Sequence, residues 1–397
     1  MDYHAPVQIP MSSPDLTEAE SEAVLKVVRS SQLSMGAYIE AFEKAFCDFT
    51  GCQHAIAVSS GTAGLHLCIR AAGIEAGDLV ITTPFSFVAS TNAILYEHGI
   101  PIYVDVDPKT ANIDPQKVIE AINDLASNTK RAAQWLPRKG ANSKQELKAI
   151  LTVDVFGQPA DYDPIQQAAS QRDLVVINDA CEALGAAYKG RKAGTLGEYG
   201  VFAFYPNKQI TTAEGGIIVT NNDKAATYMR ALRNQGRAPG DTWLQHTYLG
   251  YNYRLDEMSA ALGAVQMSRL DELLLKRQSV ANWYNQRLQK IPSVQIPTLA
   301  ATTTTISWFV YVIRLADGIN RDLLASQLKE KGIPVRPYFL PIHLQPYMVE
   351  RFGYQPGDFP ITEDLGKRCL ALPFSGKMSE QQVEFVCQEL QNCIDRQ

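Results

Sequence analysis

Short runs of apolar residues alternate with amphipathic segments through most of the chain. Branched and small residues dominate the runs, which predicts strands that are covered on both faces. The runs occupy residues 55–58, 79–82, 102–106, 150–155, 174–177, 200–204 and 216–220. Helical periodicity occupies residues 15–30, 39–49, 62–72, 163–171 and 223–234. Asp15 or Thr17 is suited to begin the first helix, and Gly51 to end the second. This alternation is typical of an α/β fold with a mostly parallel sheet.

The pattern changes after residue 255. A long amphipathic helix is predicted there, followed by a strand and two further helices, at residues 256–290, 308–315, 321–331 and 379–394. A chain of 397 residues suits two domains better than one. We therefore expect a large α/β domain at residues 14–254 and a smaller α+β domain at residues 255–397. The polar, basic stretch 128–148 is interpreted as a solvated surface insertion rather than a phosphate-binding patch.

Composition and charge exclude several classes of function. Hydrophobic residues make up 46% of the chain and charged residues 20%, as in ordinary soluble proteins. A net charge of −5 leaves no broad basic excess for nucleic acid. Apolar runs are too short to span a membrane, and the N-terminus does not resemble a signal peptide. Seven cysteines without a CxxC pair predict no metal site and indicate a reducing cytoplasm.

Three motifs follow predicted strands and carry candidate chemistry. In the first, at residues 59–64, free N–H groups at a helix start are suited to bind phosphate. Gly61 would allow close approach and Thr62 would add a hydroxyl, although a plain helix cap fits the same residues. In the second, Asp179 ends a strand where open α/β sheets bind ligands, with a helix cap as the alternative. In the third, Lys208 follows a strand, where desolvation favours attack on an aldehyde. The alternative for Lys208 is an ordinary surface lysine in a turn.

The order of these motifs resembles that of fold-type-I pyridoxal-phosphate (PLP) enzymes and, more narrowly, the DegT/StrS-type sugar aminotransferases. The marks of this resemblance cover nearly the whole chain: SSGTAGLHL, TPFSFVASTNAI, VDVFGQPADYDPI, NDACEALGA, FYPNKQITTAEGG, LGYNYRLDEMSAALG and PIHLQPY followed by LALPF. The resemblance implies a mostly parallel seven-stranded sheet in a large domain and a smaller C-terminal α+β domain.

The resemblance also implies roles for individual residues. Lys208 would carry PLP as a Schiff base and move a proton between Cα and C4′. Asp179 would pair with the pyridine nitrogen and make the ring an electron sink. Gly61 and Thr62 would bind the phosphate. Phe87, or Phe85 as the alternative, would stack on the ring.

Further matches concern the neighbouring subunit and the substrate. Asn252 resembles an asparagine that reaches the phosphate in the other subunit, which implies a homodimer with shared sites. Arg254 and His343 match positions near the substrate. Arg254 is suited to clamp a carboxylate or phosphate, or else it pairs with Asp256 or Glu257. His343 is either a substrate contact or a structural histidine. Nearby Arg336 and Tyr338 remain undecided.

The chain departs from the family pattern at three positions. Ala203 replaces a serine that bonds the phosphate, so Asn207 or Gln209 would have to substitute for it. Glu182 stands where family members commonly carry glutamine or histidine, and the resemblance implies that its carboxylate would lie near the phenolic oxygen of the cofactor. Two neighbouring anions are costly unless one is protonated. Ala213 replaces a glycine, which we expect to be a minor change.

The implied reaction is amino transfer from glutamate or glutamine to a nucleotide-linked 4-keto or 3-keto sugar. Such a reaction belongs to amino-sugar, surface-polysaccharide or natural-product biosynthesis. Two alternatives are a PLP-dependent sugar dehydratase or deoxygenase and a catalytically inactive regulatory relative. Lys208 argues against the first, because the relatives with that chemistry carry histidine there. Retention of both Lys208 and Asp179 argues against the second.

Overall fold

The computed structural model describes residues 9–126, 131–141 and 145–397. Part of the predicted surface insertion therefore lies outside the described residues. Its described part includes a short 3₁₀ helix, Ala132–Gln134, and the exposed Arg138, which pairs with Asp358. Its last two residues belong to a buried strand, so the insertion is shorter than the composition of the segment suggests.

The helices and strands follow the predicted alternation. The helices are α1 (Glu18–Arg29), α2 (Ala37–Thr50), α3 (Gly61–Ala71), α4 (Ala89–Tyr96), α5 (Pro115–Ala126), α6 (Tyr162–Ser170), α7 (Asp223–Arg233), α8 (Glu257–Ser268), α9 (Leu270–Leu288), α10 (Arg321–Glu330), α11 (Pro346–Phe352), α12 (Pro360–Arg368) and α13 (Glu380–Ile394). The strands are β1 (His54–Val58), β2 (Leu79–Thr82), β3 (Ile100–Tyr103), β4 (Leu147–Val153), β5 (Val175–Asp179), β6 (Ala187–Tyr188), β7 (Arg191–Lys192), β8 (Tyr199–Ala203), β9 (Gly216–Thr220), β10 (Val294–Gln295), β11 (Thr303–Thr305), β12 (Tyr311–Leu315) and β13 (Cys369–Leu372).

A seven-stranded sheet forms the centre of the molecule, in the order β1-β9-β8-β5-β4-β2-β3. Strand β9 runs antiparallel to β1 and β8, and the remaining pairs are parallel. The predicted α/β fold with a mostly parallel sheet is confirmed. Because β1, β4, β5 and β8 all run in one direction, their carboxyl ends lie at the same edge, where such sheets bind ligands.

Several element ends follow from local chemistry. Thr17, not Asp15, begins α1, through a capping box in which Glu20 accepts its backbone N–H. Gly51 ends α2 with φ of 79°, a left-handed conformation that glycine adopts without strain. Strand β3 begins earlier than predicted and includes Pro101. A proline is tolerated there because β3 is an edge strand, where a missing N–H does not break a hydrogen bond between strands.

The long helix predicted at residues 256–290 is two helices. The break falls at Arg269, whose φ of −105° and ψ of 6° are not helical. Its guanidinium donates to Asp15 and Glu20 at 2.9 and 2.7 Å, which ties the break to the N-terminal segment. Neither proline nor glycine marks the break in the sequence, so helical periodicity could not locate it.

The C-terminal region has its own small sheet and core. Strands β10, β12 and β13 form an antiparallel sheet, and a separate apolar cluster includes Tyr284, Tyr311, Leu328 and Leu390. The domain boundary between residues 254 and 255 stays a prediction. In the described ranges, the helices are each too short or too polar to cross a lipid bilayer.

Candidate active site

The start of α3 is in contact with the ends of two other motifs. Ser60 caps the helix, because its Oγ accepts the Ala63 N–H at 3.1 Å. A Cβ placed on Gly61 would lie 2.6 Å from the Ala203 Cβ and 3.0 Å from the Cys181 Sγ. Only glycine permits this approach without displacement. The first, second and third sequence motifs therefore meet at Gly61, with Thr62 half-buried in the first turn of the helix.

Two further segments fix the same turn from the other side. A Cβ on Gly216, where β9 begins, would lie 2.6 Å from the Ser60 carbonyl oxygen. The backbone N–H of Ser59 donates to the carbonyl of Tyr253 at 2.8 Å. The turn is thus held by β9 and by residues 250–254, the segment that contains Asn252.

Asp179 is the last residue of β5 and is 4% exposed. Its Oδ2 accepts the Ser90 hydroxyl at 2.6 Å, and its Oδ1 accepts the Cys181 N–H at 3.1 Å. The described residues place no cationic side chain in an ion pair with it. A buried carboxylate held by neutral donors alone is costly, so the site fits a cationic N–H donor from a ligand. No helix begins here, and the helix-cap alternative is wrong.

Lys208 lies in the loop between β8 and β9. Its side chain is 13% exposed, with Nζ 3.8 Å from the Glu182 Oε1. The same Nζ is 3.8 Å from the centre of the Phe309 ring. The surface-lysine alternative is therefore wrong, because the amine is enclosed between a carboxylate and an aromatic ring.

Glu182 faces Lys208 from a buried position. Burial raises the pKa of the Glu182 carboxyl, and the positive charge of Lys208 opposes that rise. The other carboxylate oxygen, Oε2, accepts the Phe156 N–H at 2.9 Å. The Phe156 ring stacks on Tyr338, and burial and then the charge of Glu182 raise the pKa of that phenol. Tyr338, which the sequence left undecided, therefore reaches this site from the C-terminal region.

Two residues, Asn207 and Gln209, are candidates to make the phosphate contact of the serine that Ala203 replaces, and their side chains differ in the partners that they already have. The Gln209 amide donates to the Glu182 carbonyl at 2.6 Å and to the Ser307 hydroxyl at 2.8 Å. That amide is therefore engaged in holding the loop. The Asn207 Oδ1 is buried without a hydrogen-bond partner in the described structure. Asn207 is thus the residue whose side chain remains available to a ligand.

Ala213 adopts φ of 66°, in the left-handed region. The glycine that family members carry there has no Cβ penalty, whereas alanine costs roughly 1 kcal/mol. The change is small in energy, as expected, and it has a definite conformational cause.

Arg277, on α9, was not singled out by the sequence and contacts the lysine turn directly. It is 4% exposed, and its Nη2 donates to the carbonyl of Lys208 at 2.5 Å. Its Nη1 donates to the carbonyls of Trp308 and Phe309, each at 3.2 Å. Burial lowers the pKa of Arg277 to about 10. One arginine among many charged positions of an amphipathic helix carries no sequence signal for this role.

The two candidate aromatic residues differ in exposure. Phe85 is fully buried and packs against Phe156 and Phe339, so its ring has no face for a ligand. Phe87 is 63% exposed. Asn252 is also exposed, in a bridge with Asn234.

Arg254 does not pair with either of the acidic residues considered for it. Its Nη1 donates to the Asn234 Oδ1 at 2.9 Å. Asp256 instead caps α8, and Glu257 accepts backbone N–H groups near the start of α2. The pairing alternative is wrong, and Arg254 lies beside the segment that presents Asn252.

His343 is fully buried, with Nε2 3.1 Å from the Glu363 Oε1. Burial lowers the pKa of this imidazole. This position favours the structural alternative over contact with a substrate.

The residues at this edge of the sheet fit PLP. Among the described residues, the buried Asp179 carboxylate has no cationic partner in an ion pair. The Lys208 amine is enclosed beside Glu182, and a helix begins at Gly61, where a side chain would not fit. The fold and the site define a PLP-dependent aminotransferase. Residues 14–391 match the model of the DegT/DnrJ/EryC1/StrS aminotransferase family, and the chain belongs to that family.

Individual relatives resemble the chain over nearly its whole length. A GDP-perosamine synthase of Caulobacter vibrioides is 37% identical, with 98% of each chain covered. A GDP-perosamine synthase of Escherichia coli O157:H7 is 33% identical, over 96% of this chain and 97% of that one. The structure of Helicobacter pylori PseC, an aminotransferase in the biosynthesis of pseudoaminic acid, superposes with a TM-score of 0.87. It is 26% identical, over 98% of this chain and 100% of that one.

Proposed function

We propose that this enzyme transfers the amino group of glutamate or glutamine to a nucleotide-linked 4-keto or 3-keto sugar. The observation that carries the proposal is the enclosure of the Lys208 amine between Glu182 and Phe309, with Glu182 in the segment that directly follows the buried Asp179. The relatives named as GDP-perosamine synthases support a GDP-linked sugar as the first acceptor to test. The product would enter amino-sugar, surface-polysaccharide or natural-product biosynthesis.

Each residue of the site would have a separate role in this reaction. Bound PLP supplies an electron sink for the charge that remains when a proton leaves the carbon bearing the amino group. Lys208 would anchor the cofactor, and once the donor's amino group has displaced it, its Nζ would be free to accept that proton and return it. Asp179 holds the ring nitrogen by a charge-assisted hydrogen bond. Backbone N–H groups at Gly61 and Thr62 bind the phosphate. Phe87 covers the ring.

The active unit would be a homodimer in which Asn252 of one subunit completes the site of the other. Asn252 is exposed, and the next residue, Tyr253, accepts a hydrogen bond from the Ser59 N–H in the turn before α3. An exposed side chain beside that turn would be able to contact a second subunit. The compartment would be the cytoplasm, because all seven cysteines are free, as in a reducing environment.

The test is incubation of the PLP-loaded protein with a donor labelled with ¹⁵N in the α-amino group. Glutamate and glutamine are compared, with GDP-, UDP- and dTDP-linked 4-keto and 3-keto sugars as acceptors. Mass spectrometry should show ¹⁵N in one sugar, and Lys208→Ala should abolish the transfer.

Other outcomes would contradict the proposal. A sugar that loses oxygen without gaining nitrogen would favour a dehydratase or deoxygenase. A purified protein without cofactor absorption would favour a regulatory relative. Near-normal turnover by Lys208→Ala would overturn the assignment of the lysine.

A further inference from the structure

Ser90 makes the shortest hydrogen bond to Asp179 in the described structure. The Oγ of Ser90 lies 2.6 Å from the Asp179 Oδ2, and the two residues are 2% and 4% exposed. A serine in a helix commonly satisfies its hydroxyl on a carbonyl of the preceding turn. Ser90 donates instead to a carboxylate 89 positions away in the sequence.

We propose that Ser90 is a positioning residue that holds the Asp179 carboxylate in the orientation that receives the ring N–H of bound PLP. The inference rests on the proposed function, because it takes Asp179 as the partner of the ring nitrogen. The carboxylate has two anchors, the Ser90 hydroxyl on Oδ2 and the Cys181 N–H on Oδ1. With both anchors in place, rotation of the carboxylate would break a buried hydrogen bond.

The position of Ser90 links this anchor to another element of the site. Ser90 lies in the first turn of α4, three residues after Phe87. A single short segment therefore carries the aromatic proposed to cover the ring and the hydroxyl that orients the carboxylate. The next residue, Thr91, is equally buried but bonds the Tyr103 hydroxyl at 3.0 Å. Thr91 thus attaches the same helix to a different part of the core.

Thr91 provides a matched control for a test on the full-length protein. The variants Ser90→Ala, Ser90→Thr and Thr91→Val are compared with wild type in two measurements. One is the PLP dissociation constant, and the other is the melting temperature of the PLP-free protein. Ser90→Ala should weaken PLP binding by about tenfold, the scale of one hydrogen bond to a charged group. Ser90→Thr, which keeps the hydroxyl, should bind PLP within about twofold of wild type. Thr91→Val should lower the melting temperature without that loss of affinity.

A double-mutant cycle tests whether the effect passes through Asp179. In an Asp179→Asn background, Ser90→Ala should change the PLP dissociation constant by less than about twofold, because the pair acts as one unit. Additive losses, or wild-type affinity in Ser90→Ala alone, would overturn the inference and leave the role of Asp179 intact. Wild-type affinity in Asp179→Asn alone would instead overturn the proposed function, and the inference with it.

Discussion

The Nζ of Lys208 lies 3.8 Å from the Oε1 of Glu182, and the two side chains are 13% and 8% exposed. Among the described residues, Lys208 is the cation paired with this carboxylate. Burial raises the pKa of Glu182, and the neighbouring amine opposes the rise. The lysine therefore favours the charged form of this carboxylate, and burial opposes it.

Replacement of Lys208 by methionine should make stability strongly dependent on pH. The folded-state pKa of Glu182 already lies above its ordinary value, and loss of the amine leaves burial unopposed. A carboxyl whose pKa is raised on folding stabilises the protein below its unfolded value of about 4.3 and loses that effect as pH rises. Above neutral pH, we expect Lys208→Met to be less stable than wild type by about 3 kcal/mol, the cost of an uncompensated buried charge. Urea unfolding of the PLP-free proteins at pH 5 and pH 8 measures the difference.

The double variant Lys208→Met/Glu182→Gln is the control for this prediction. An amide carries no charge, so the dependence on pH that Lys208→Met adds to that of the wild type should disappear, while the side chain at position 182 keeps its size. An equal pH dependence in the single and double variants would show that Glu182 is not its source.

Gly61→Ala should destabilise the protein through steric overlap rather than through backbone strain. The added Cβ would lie 2.6 Å from the Ala203 Cβ, so α3 or the end of β8 must move. We expect a loss of about 1–3 kcal/mol in the free energy of unfolding, together with weaker PLP binding. The second variant, Gly61→Ala/Ala203→Gly, removes the contacting methyl group and should recover part of the loss. If the double variant is no more stable than Gly61→Ala, the steric overlap does not involve the methyl group of Ala203.

His343→Gln should preserve turnover and change how stability depends on pH. Burial lowers the pKa of His343 in the folded protein, so below pH about 6.5 the unfolded chain binds more protons than the folded one. The stabilisation is complete above that pH and is lost as the pH falls through the folded-state pKa. Unfolding experiments at pH 7.5 and pH 5.5 should therefore show a smaller difference for His343→Gln than for wild type. A large fall in turnover at unchanged stability would favour a substrate contact instead.

A mixture of two impaired variants tests whether each site is built from two chains. If Asn252 serves the partner's site, a heterodimer of Lys208→Ala and Asn252→Ala chains has one site with both lesions and one with neither. Activity should recover to at most about half of the wild-type value per heterodimer, by counting sites under two-fold symmetry.

Two controls are needed for the mixing experiment. Asn252→Ala must be clearly impaired alone, and exchange of subunits must be shown with differently tagged chains. With both conditions met, a mixture no more active than the sum of its parts would place Asn252 in the site of its own chain.

The local sequence was sufficient to predict the central sheet, most of the helices and the principal candidate site residues. Apolar runs and helical periodicity predicted the seven strands of the central sheet, because these signals depend on consecutive residues. Gly61 was expected to allow close approach of a phosphate, and in the structure it also packs against Ala203 and Cys181, where a Cβ would not fit. Asp179 was found because it ends a strand, and Lys208 because it lies in the loop after one, and both strands have their carboxyl ends at the binding edge. Their roles toward the cofactor stay predictions.

Only the tertiary structure decided which distant side chains meet at that edge. Ser90 and Asp179 are separated by 89 positions, and Arg277 and Lys208 by 69, so no periodic pattern relates them. Strand order and helix packing bring them together. The same reason explains why the sequence could not choose between Phe85 and Phe87, which lie in one motif but differ in burial. A hydrophobic pattern specifies which faces are buried, whereas the partner of a buried polar atom depends on the path of the whole chain.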